Sequence, residues 1–260
     1  MRKAGFDGPI IGVSSDAAIA DAVAAGAIDH GAPLAEAAAQ ADLVFLSQTI
    51  GRILDTLRRL DPLVRPGALV TDAGSTKRDI VDTALENLSR CQFLGGHPMA
   101  GKETRGAAAA DPDLFRGCTW VLTPAERTEL ETAAAAGLIA WIRRIGAHPA
   151  ILDPAEHDRI VSRTSHLAQL ASTALAATVA DGVRAEDLCV AGSGLVDMTR
   201  LALSSYDLWR DILATNAGEI ERALSVYIQK LEHMRENLRT RQAQEEFERG
   251  AALALRVRRR

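Results

Sequence analysis

Four short apolar runs, each of strand length and each ending in small or polar residues, limit what this chain can fold into. They lie at 9–14 (Pro9-Ile10-Ile11-Gly12-Val13-Ser14), 42–47 (Asp42-Leu43-Val44-Phe45-Leu46-Ser47), 68–72 (Ala68-Leu69-Val70-Thr71-Asp72) and 92–95. Such runs are the pattern of strands buried on both faces. Helical segments separate them, over 16–25, 34–40, 50–60 with Ile53, Leu57 and Leu60 on one face, and 76–88. Strand and helix in alternation predict a parallel sheet with right-handed crossovers. Two further strands are expected at 119–123 and 149–152, around a helix over 125–145. From Asp153 onward the spacing is helical only, with turns at Asp181-Gly182 and Ala191-Gly192-Ser193-Gly194. The expected organisation is an α/β domain over 1–152 followed by an all-helical domain over 153–260.

Composition narrows the classes further. With 260 residues, 47% of them hydrophobic, the chain can bury a substantial core. A net charge of -4 argues against general affinity for nucleic acid, and the basic run Arg256-Val257-Arg258-Arg259-Arg260 reads as a solvated helix end. The three cysteines, Cys91, Cys118 and Cys189, show neither paired spacing nor metal partners, so no metal site and a reduced, cytoplasmic setting are expected. No apolar run reaches the roughly 18 residues of a membrane span.

The strand ends carry the chemistry. In open α/β sheets ligands collect beyond the carboxyl ends of the strands. There the chain places Thr71-Asp72-Ala73-Gly74-Ser75-Thr76-Lys77 and Gly95-Gly96-His97-Pro98-Met99-Ala100-Gly101-Lys102-Glu103. The first stretch offers a hydroxyl, Ser75, and an ammonium, Lys77, at the start of a helix, where free backbone N–H groups favour anions. The second offers an imidazole, His97, in what reads as a loop, a candidate base. In the helical half, His157, His166 and Gln169 are candidates to face the sheet edge, and Arg200 and Trp209 could grip a carboxylate and wall off a ring. Singly, each has a plainer role as a satisfied helix residue, a local ion pair or core.

Taken together, Asp72-Ala73-Gly74-Ser75-Thr76-Lys77, His97-Pro98-Met99-Ala100-Gly101-Lys102-Glu103, Ser165-His166-Leu167, and Asp197-Met198-Thr199-Arg200 with Trp209 beyond resemble the prephenate and arogenate dehydrogenases, nicotinamide-dependent enzymes of tyrosine biosynthesis. The resemblance implies a partial Rossmann-like parallel sheet followed by an all-helical dimerisation domain, in a homodimer. It implies NAD or NADP as cofactor, with Ser14, Ser47, Gln48, Gly74, Ser75 and Lys77 as cofactor-binding residues. His97 and Ser75 are then the catalytic residues. Arg200, Trp209, His166, Gln169, Glu103 and Asp197 are expected on the side of the substrate, prephenate or arogenate. The implied reaction is an oxidative decarboxylation in which His97 takes the ring hydroxyl proton, Ser75 hydrogen-bonds that hydroxyl and His97, and Arg200 holds a substrate carboxylate with Glu103 and Asp197 as its ion-pair partners.

The sequence also departs from that family. A dinucleotide domain ordinarily opens with a strand and a G-x-G-x-x-G turn. By family comparison this chain begins after them, as expected of a start codon assigned downstream or of a truncation. The strand expected between 9–14 and 42–47 is then missing, which leaves two inner edges open or makes them pair directly. Ser14-Ser15 stands where an acidic residue usually meets the adenosine ribose, which leaves NADP open beside NAD. Ala168 and Gln169 replace a proline and a second histidine that family members often carry. The rival readings are arogenate specificity, a catalytically silent dimer or aromatic-metabolite binder, and a β-hydroxyacid dehydrogenase. The last would rely on a catalytic lysine in the helical domain, whose single lysine, Lys230, lies far along the chain from the other site residues.

Overall fold

The structure is a computed structural model and describes residues 1–101, 106 and 109–259. The chain divides into two compact units, Met1–Ala217 and Gly218–Arg260. In the first unit, β1 (Ile11–Gly12) and β2 (His30–Gly31) form a small parallel pair around α1 (Asp16–Ala24). A separate five-stranded sheet follows the order β3 (Leu43–Leu46), β4 (Leu69–Asp72), β5 (Gln92–Pro98), β6 (Thr119–Thr123) and β7 (His148–Ile151). The strand β3 pairs with β4 alone, and its Leu43 and Phe45 are exposed. Of the two arrangements expected for the inner edges, the open one is found: β1 and β3 do not pair.

The helices α2 (Leu34–Gln40), α3 (Ile50–Leu60), α4 (Arg78–Asn87) and α5 (Ala133–Arg144) cover the sheet. In α3, Ile50, Ile53, Leu57 and Leu60 recur at helical spacing and are buried, while Arg52, Asp55, Arg58 and Arg59 face water. Each such buried aliphatic side chain contributes about 1.5–3 kcal/mol. They join Val70, Ile80, Val81 and Phe93 in one core cluster, and a second forms around Leu69, Leu94, Trp120 and Leu122 with Leu138 and Ile142 of α5.

Two expectations are corrected here. The sheet is parallel from β3 to β5, but β6 runs antiparallel to β5, with His97 opposite Val121. A parallel pair needs a crossover, usually helical, and the described residues between β5 and β6 supply no α-helix. For the same reason His97 lies on a strand rather than in a loop: pairing with β6 carries β5 through Pro98. The short strand β2 was not expected from the sequence.

After β7 no strand occurs among the described residues. The chain continues as α6 (Pro154–Val161), a π-helical turn at Ser162–His166, α7 (Leu167–Gly182), α8 (Ser193–Thr199) and α9 (Tyr206–Thr215). The helix α10 (Ala217–Glu236) and α11 (Gln244–Arg258) make up most of the second unit, where Lys230 pairs with Glu246. No described helix is long and apolar enough to cross a membrane.

Candidate functional site

Asp72, the last residue of β4, and Lys77, just before α4, are both fully buried and form an ion pair. Asp72 also accepts the backbone N–H of Gly74 at 2.7 Å and of Gly96 at 3.0 Å, and the Lys77 ammonium donates to the Gly96 carbonyl at 2.8 Å. The ends of β4 and β5 are thereby clamped together immediately before His97. Glycine is required at 96, because a Cβ there would lie 2.6 Å from the backbone oxygen of Asp72. Burial pushes the Lys77 ammonium below its ordinary value, while Asp72 opposes the shift.

The imidazole of His97 is half-buried, and its Nδ1 lies 2.9 Å from Nε2 of His157 on α6. Nδ1 of His157, fully buried, lies 2.7 Å from the Asp158 carboxylate. Asp158 in turn accepts the backbone N–H groups of Lys77 at 2.7 Å and Arg78 at 3.0 Å, capping α4, which has no cap of its own. Nε2 of His97 has no hydrogen-bond partner among the described residues. Desolvation holds the His97 pKa well below the usual 6.5, and the neighbouring His157, Lys77 and His166 act in the same direction.

A second buried histidine stands behind the first pair. His166 ends the π-helical turn, a distortion often found at functional sites. Its Nδ1 meets the amide of Asn216 at 3.3 Å, and its ring stands edge-on to Trp209 with centroids 5.7 Å apart. Asn216 also donates to the Asp158 carbonyl at 2.9 Å. Burial pushes His166 down to about 4, with Asp158 opposing and His157 adding to the shift. The indole N–H of Trp209 is buried without a hydrogen-bond partner among the described residues. Gln169, one turn beyond His166, donates to the Leu201 carbonyl at 2.8 Å and so tethers the 3-10 turn that begins with Arg200.

The expected site residues fall in different surroundings. His97, His166 and Trp209 are linked through His157, Asp158 and Asn216, while Gln169 bonds to Leu201 instead. Ser75 is half-buried and makes no hydrogen bond among the described residues, and the neighbour found at Nδ1 of His97 is His157. Lys77 has its ammonium enclosed by Asp72 and the Gly96 carbonyl, so that it ties the two strand ends together. Arg200 and Asp197 are exposed on the helical side. Glu103 lies outside the described residues.

Sequence reasoning gave no role to Asp158, Asp72 or Asp211. The Asp211 carboxylate of α9 accepts the backbone N–H of Gly51 at 2.9 Å and caps α3 from a distance. For Asp158 the signal was its place beside His157; nothing local marked Asp211.

The cofactor residues can be tested for fit. Ser14 follows β1, Ser47 and Gln48 follow β3, and Gly74 and Ser75 follow β4, all at carboxyl ends of parallel strands. Ser14, Ser47 and Gln48 are exposed there, beside strand edges that no other strand covers. These groups fit the flanks of a dinucleotide, while no G-x-G-x-x-G turn occurs among residues 1–260 to receive a pyrophosphate.

A largely parallel sheet with ligand-facing groups at its strand ends, a half-buried histidine with one ring nitrogen unengaged among the described residues, and helices carrying an arginine and a tryptophan define a Rossmann-like α/β protein with a helical continuation. The chain belongs to the prephenate dehydrogenase family: residues 1–149 match the family model for the nucleotide-binding domain and 153–252 that for the dimerization domain. It is 36% identical to prephenate dehydrogenase of Bacillus subtilis over 69% of this chain and 50% of that protein. The corresponding enzyme of Lactococcus lactis is 33% identical over 74% of this chain and 53% of that protein. The chain thus spans about half the length of the curated relatives it matches. Among solved structures, prephenate dehydrogenase of Aquifex aeolicus in complex with hydroxyphenyl propionate and NAD+ superposes with a TM-score of 0.85 at 30% identity, covering 99% of this chain and 90% of that one. Arogenate dehydrogenase of Synechocystis gives a TM-score of 0.74 at 28% identity, covering 99% of this chain and 91% of that one.

Proposed function

We propose that this chain carries out the oxidative decarboxylation of prephenate to 4-hydroxyphenylpyruvate with NAD or NADP as hydride acceptor, in tyrosine biosynthesis in the cytoplasm. The observation that carries the reading is His97, whose Nδ1 is engaged by His157 while Nε2 stands open at the strand ends. An imidazole held below its ordinary pKa is uncharged near neutrality and ready to accept a proton.

In this reading His97 Nε2 takes the proton of the ring hydroxyl, the carbon–oxygen double bond forms as hydride leaves that carbon, and loss of the ring carboxylate as carbon dioxide makes the ring aromatic. The bound dinucleotide supplies the two-electron oxidation. Ser75, half-buried and without a hydrogen-bond partner among the described residues, is available to hydrogen-bond the reacting hydroxyl. Arg200 receives a substrate carboxylate with its planar fork of donors, supported by the Gln169 tether. Trp209 and His166 wall the side of the ring, with Glu103 and Asp197 as charged neighbours of Arg200. Ser14, Ser47, Gln48 and Gly74 flank the dinucleotide; Lys77 contributes by fixing the strand ends.

The functional division is proposed at 1–152 for cofactor and 153–260 for substrate and dimerisation. In the second unit Val226, Leu231, Leu238, Phe247, Leu253 and Val257 are exposed apolar residues on α10, α11 and their connection. A homodimer would cover them, in keeping with the dimerization-domain match.

The test is calorimetric titration with NAD and NADP, then turnover assays with prephenate and with arogenate. Binding of either cofactor with turnover of either substrate is the expected result, and the faster substrate fixes the specificity. A folded dimer that binds aromatic ligands but no dinucleotide would replace the enzyme reading with a silent binder.

A further inference from the structure

The bonds linking Asp158, His157 and His97 have a direction. Asp158 accepts a backbone N–H on each carboxylate oxygen at the amino end of α4, where the helix favours an anion. An ionised carboxylate only accepts, so the hydrogen between Asp158 and His157 sits on Nδ1 of His157. His157 is fully buried, where an added cation is costly. A neutral His157 protonated at Nδ1 has its lone pair at Nε2, and the hydrogen it shares with His97 must then come from Nδ1 of His97.

We infer that Asp158 and His157 are positioning residues that fix His97 as the Nδ1–H tautomer, so that its only lone pair lies on the open Nε2. An isolated imidazole would divide between two tautomers, one of which has no basic nitrogen at that position. Here the choice is set by a carboxylate two hydrogen bonds away. The clamp of Gly96 by Asp72 and Lys77 fixes the backbone beside the same ring, so orientation and tautomer are controlled from opposite sides. When Nε2 accepts a proton, Nδ1–H continues to donate to His157, and the new positive charge faces Asp158 through one neutral imidazole. No proton needs to move along the chain of bonds.

The catalytic use of that lone pair rests on the dehydrogenase reading, but the tautomer can be tested without it. The full chain labelled with nitrogen-15 at histidine gives imidazole nitrogen spectra, and the His97 signals are those lost in His97→Asn. The expected wild-type pattern is a protonated Nδ1 and an unprotonated Nε2. His157→Leu removes the acceptor: the His97 signals should move toward Nε2–H, and kcat should fall roughly 10- to 100-fold with little change in KM. His157→Gln, whose amide oxygen can accept from Nδ1–H, should restore the tautomer and part of kcat. Should the leucine variant not fold, the wild-type and glutamine spectra still decide. A wild-type His97 protonated at Nε2, or a leucine variant that keeps both the Nδ1–H pattern and full kcat, overturns the inference. The Nδ1–H pattern in a chain that turns over neither prephenate nor arogenate supports the positioning and overturns the enzyme reading instead.

Discussion

Nε2 of His157 lies 2.9 Å from Nδ1 of His97, so a helix residue supplies the neighbour that the sequence had assigned to Ser75. The proposed base is therefore anchored from one ring nitrogen and open at the other. Replacing it with asparagine keeps a polar side chain but no basic nitrogen. His97→Asn should lower kcat by roughly 10²- to 10⁴-fold while prephenate still binds. Steady-state kinetics with a parallel binding titration check this, and equal turnover in the variant would exclude His97 as the base.

Arg200 is exposed before substrate arrives, so its removal should not unfold the chain. A hydrogen bond from a charged group contributes about 1.5–3 kcal/mol. Arg200→Ala should raise KM by the corresponding factor, roughly ten- to a hundredfold, with a smaller change in kcat. An unchanged KM places Arg200 away from the substrate.

The Lys77–Asp72 pair makes a different kind of prediction. Removing one partner of a fully buried pair strands the other charge, at a cost of about 3–5 kcal/mol. Lys77→Met should therefore lower the denaturation midpoint strongly. If the variant folds at low temperature and binds cofactor as wild type does, Lys77 is a structural pin. A selective loss of dinucleotide affinity would return it to the cofactor site.

His97 and His166 make stability depend on pH, and the sign follows from their lowered pKa values. In the unfolded chain His166 takes up a proton near its ordinary 6.5, whereas in the folded chain it does so only near 4. Between those values the unfolded state binds the extra proton, so stability is full above about pH 6.5 and declines as the pH falls toward 4. His166 alone contributes a loss of about 3 kcal/mol over that window, and His97 acts in the same direction. Urea unfolding at about pH 7 and about pH 5 should show the lower midpoint at pH 5. A smaller difference is expected in His166→Gln; an equal one would assign the effect elsewhere.

The sheet was legible because its central strands β4 and β5 are buried on both faces and helices such as α3 on one. Leu69-Val70 and Phe93-Leu94 carry that pattern without help from distant residues, and so does the spacing of Ile53, Leu57 and Leu60. What could not be read depends on partners far along the chain. The direction of β6 is fixed by its pairing with β5, which also turned His97 from a loop residue into a strand residue. His97, His166, Gln169 and Trp209 were recognisable from residue type and order. The partner of His97 was not, because hydrogen-bond distance to His157 is a property of how α6 docks. The enclosure of Lys77 was hidden for a similar reason: five residues from Asp72, it reads equally well as an open cation or as half of a buried pair.

The two distant caps also bear on how the chain reaches its native state. The amino ends of α3 and α4 are satisfied by Asp211 and Asp158, which lie 160 and 80 positions from the groups they accept. Helix ends of this kind cannot be completed by local collapse, and loops of that length must close first. The sheet and its covering helices should thus form early with frayed amino ends, and the last event should be the docking of α6 and α9. The strand ends at which Ser75 and His97 stand would then become ordered only in that final step, and the chemistry proposed for them would be a late product of folding.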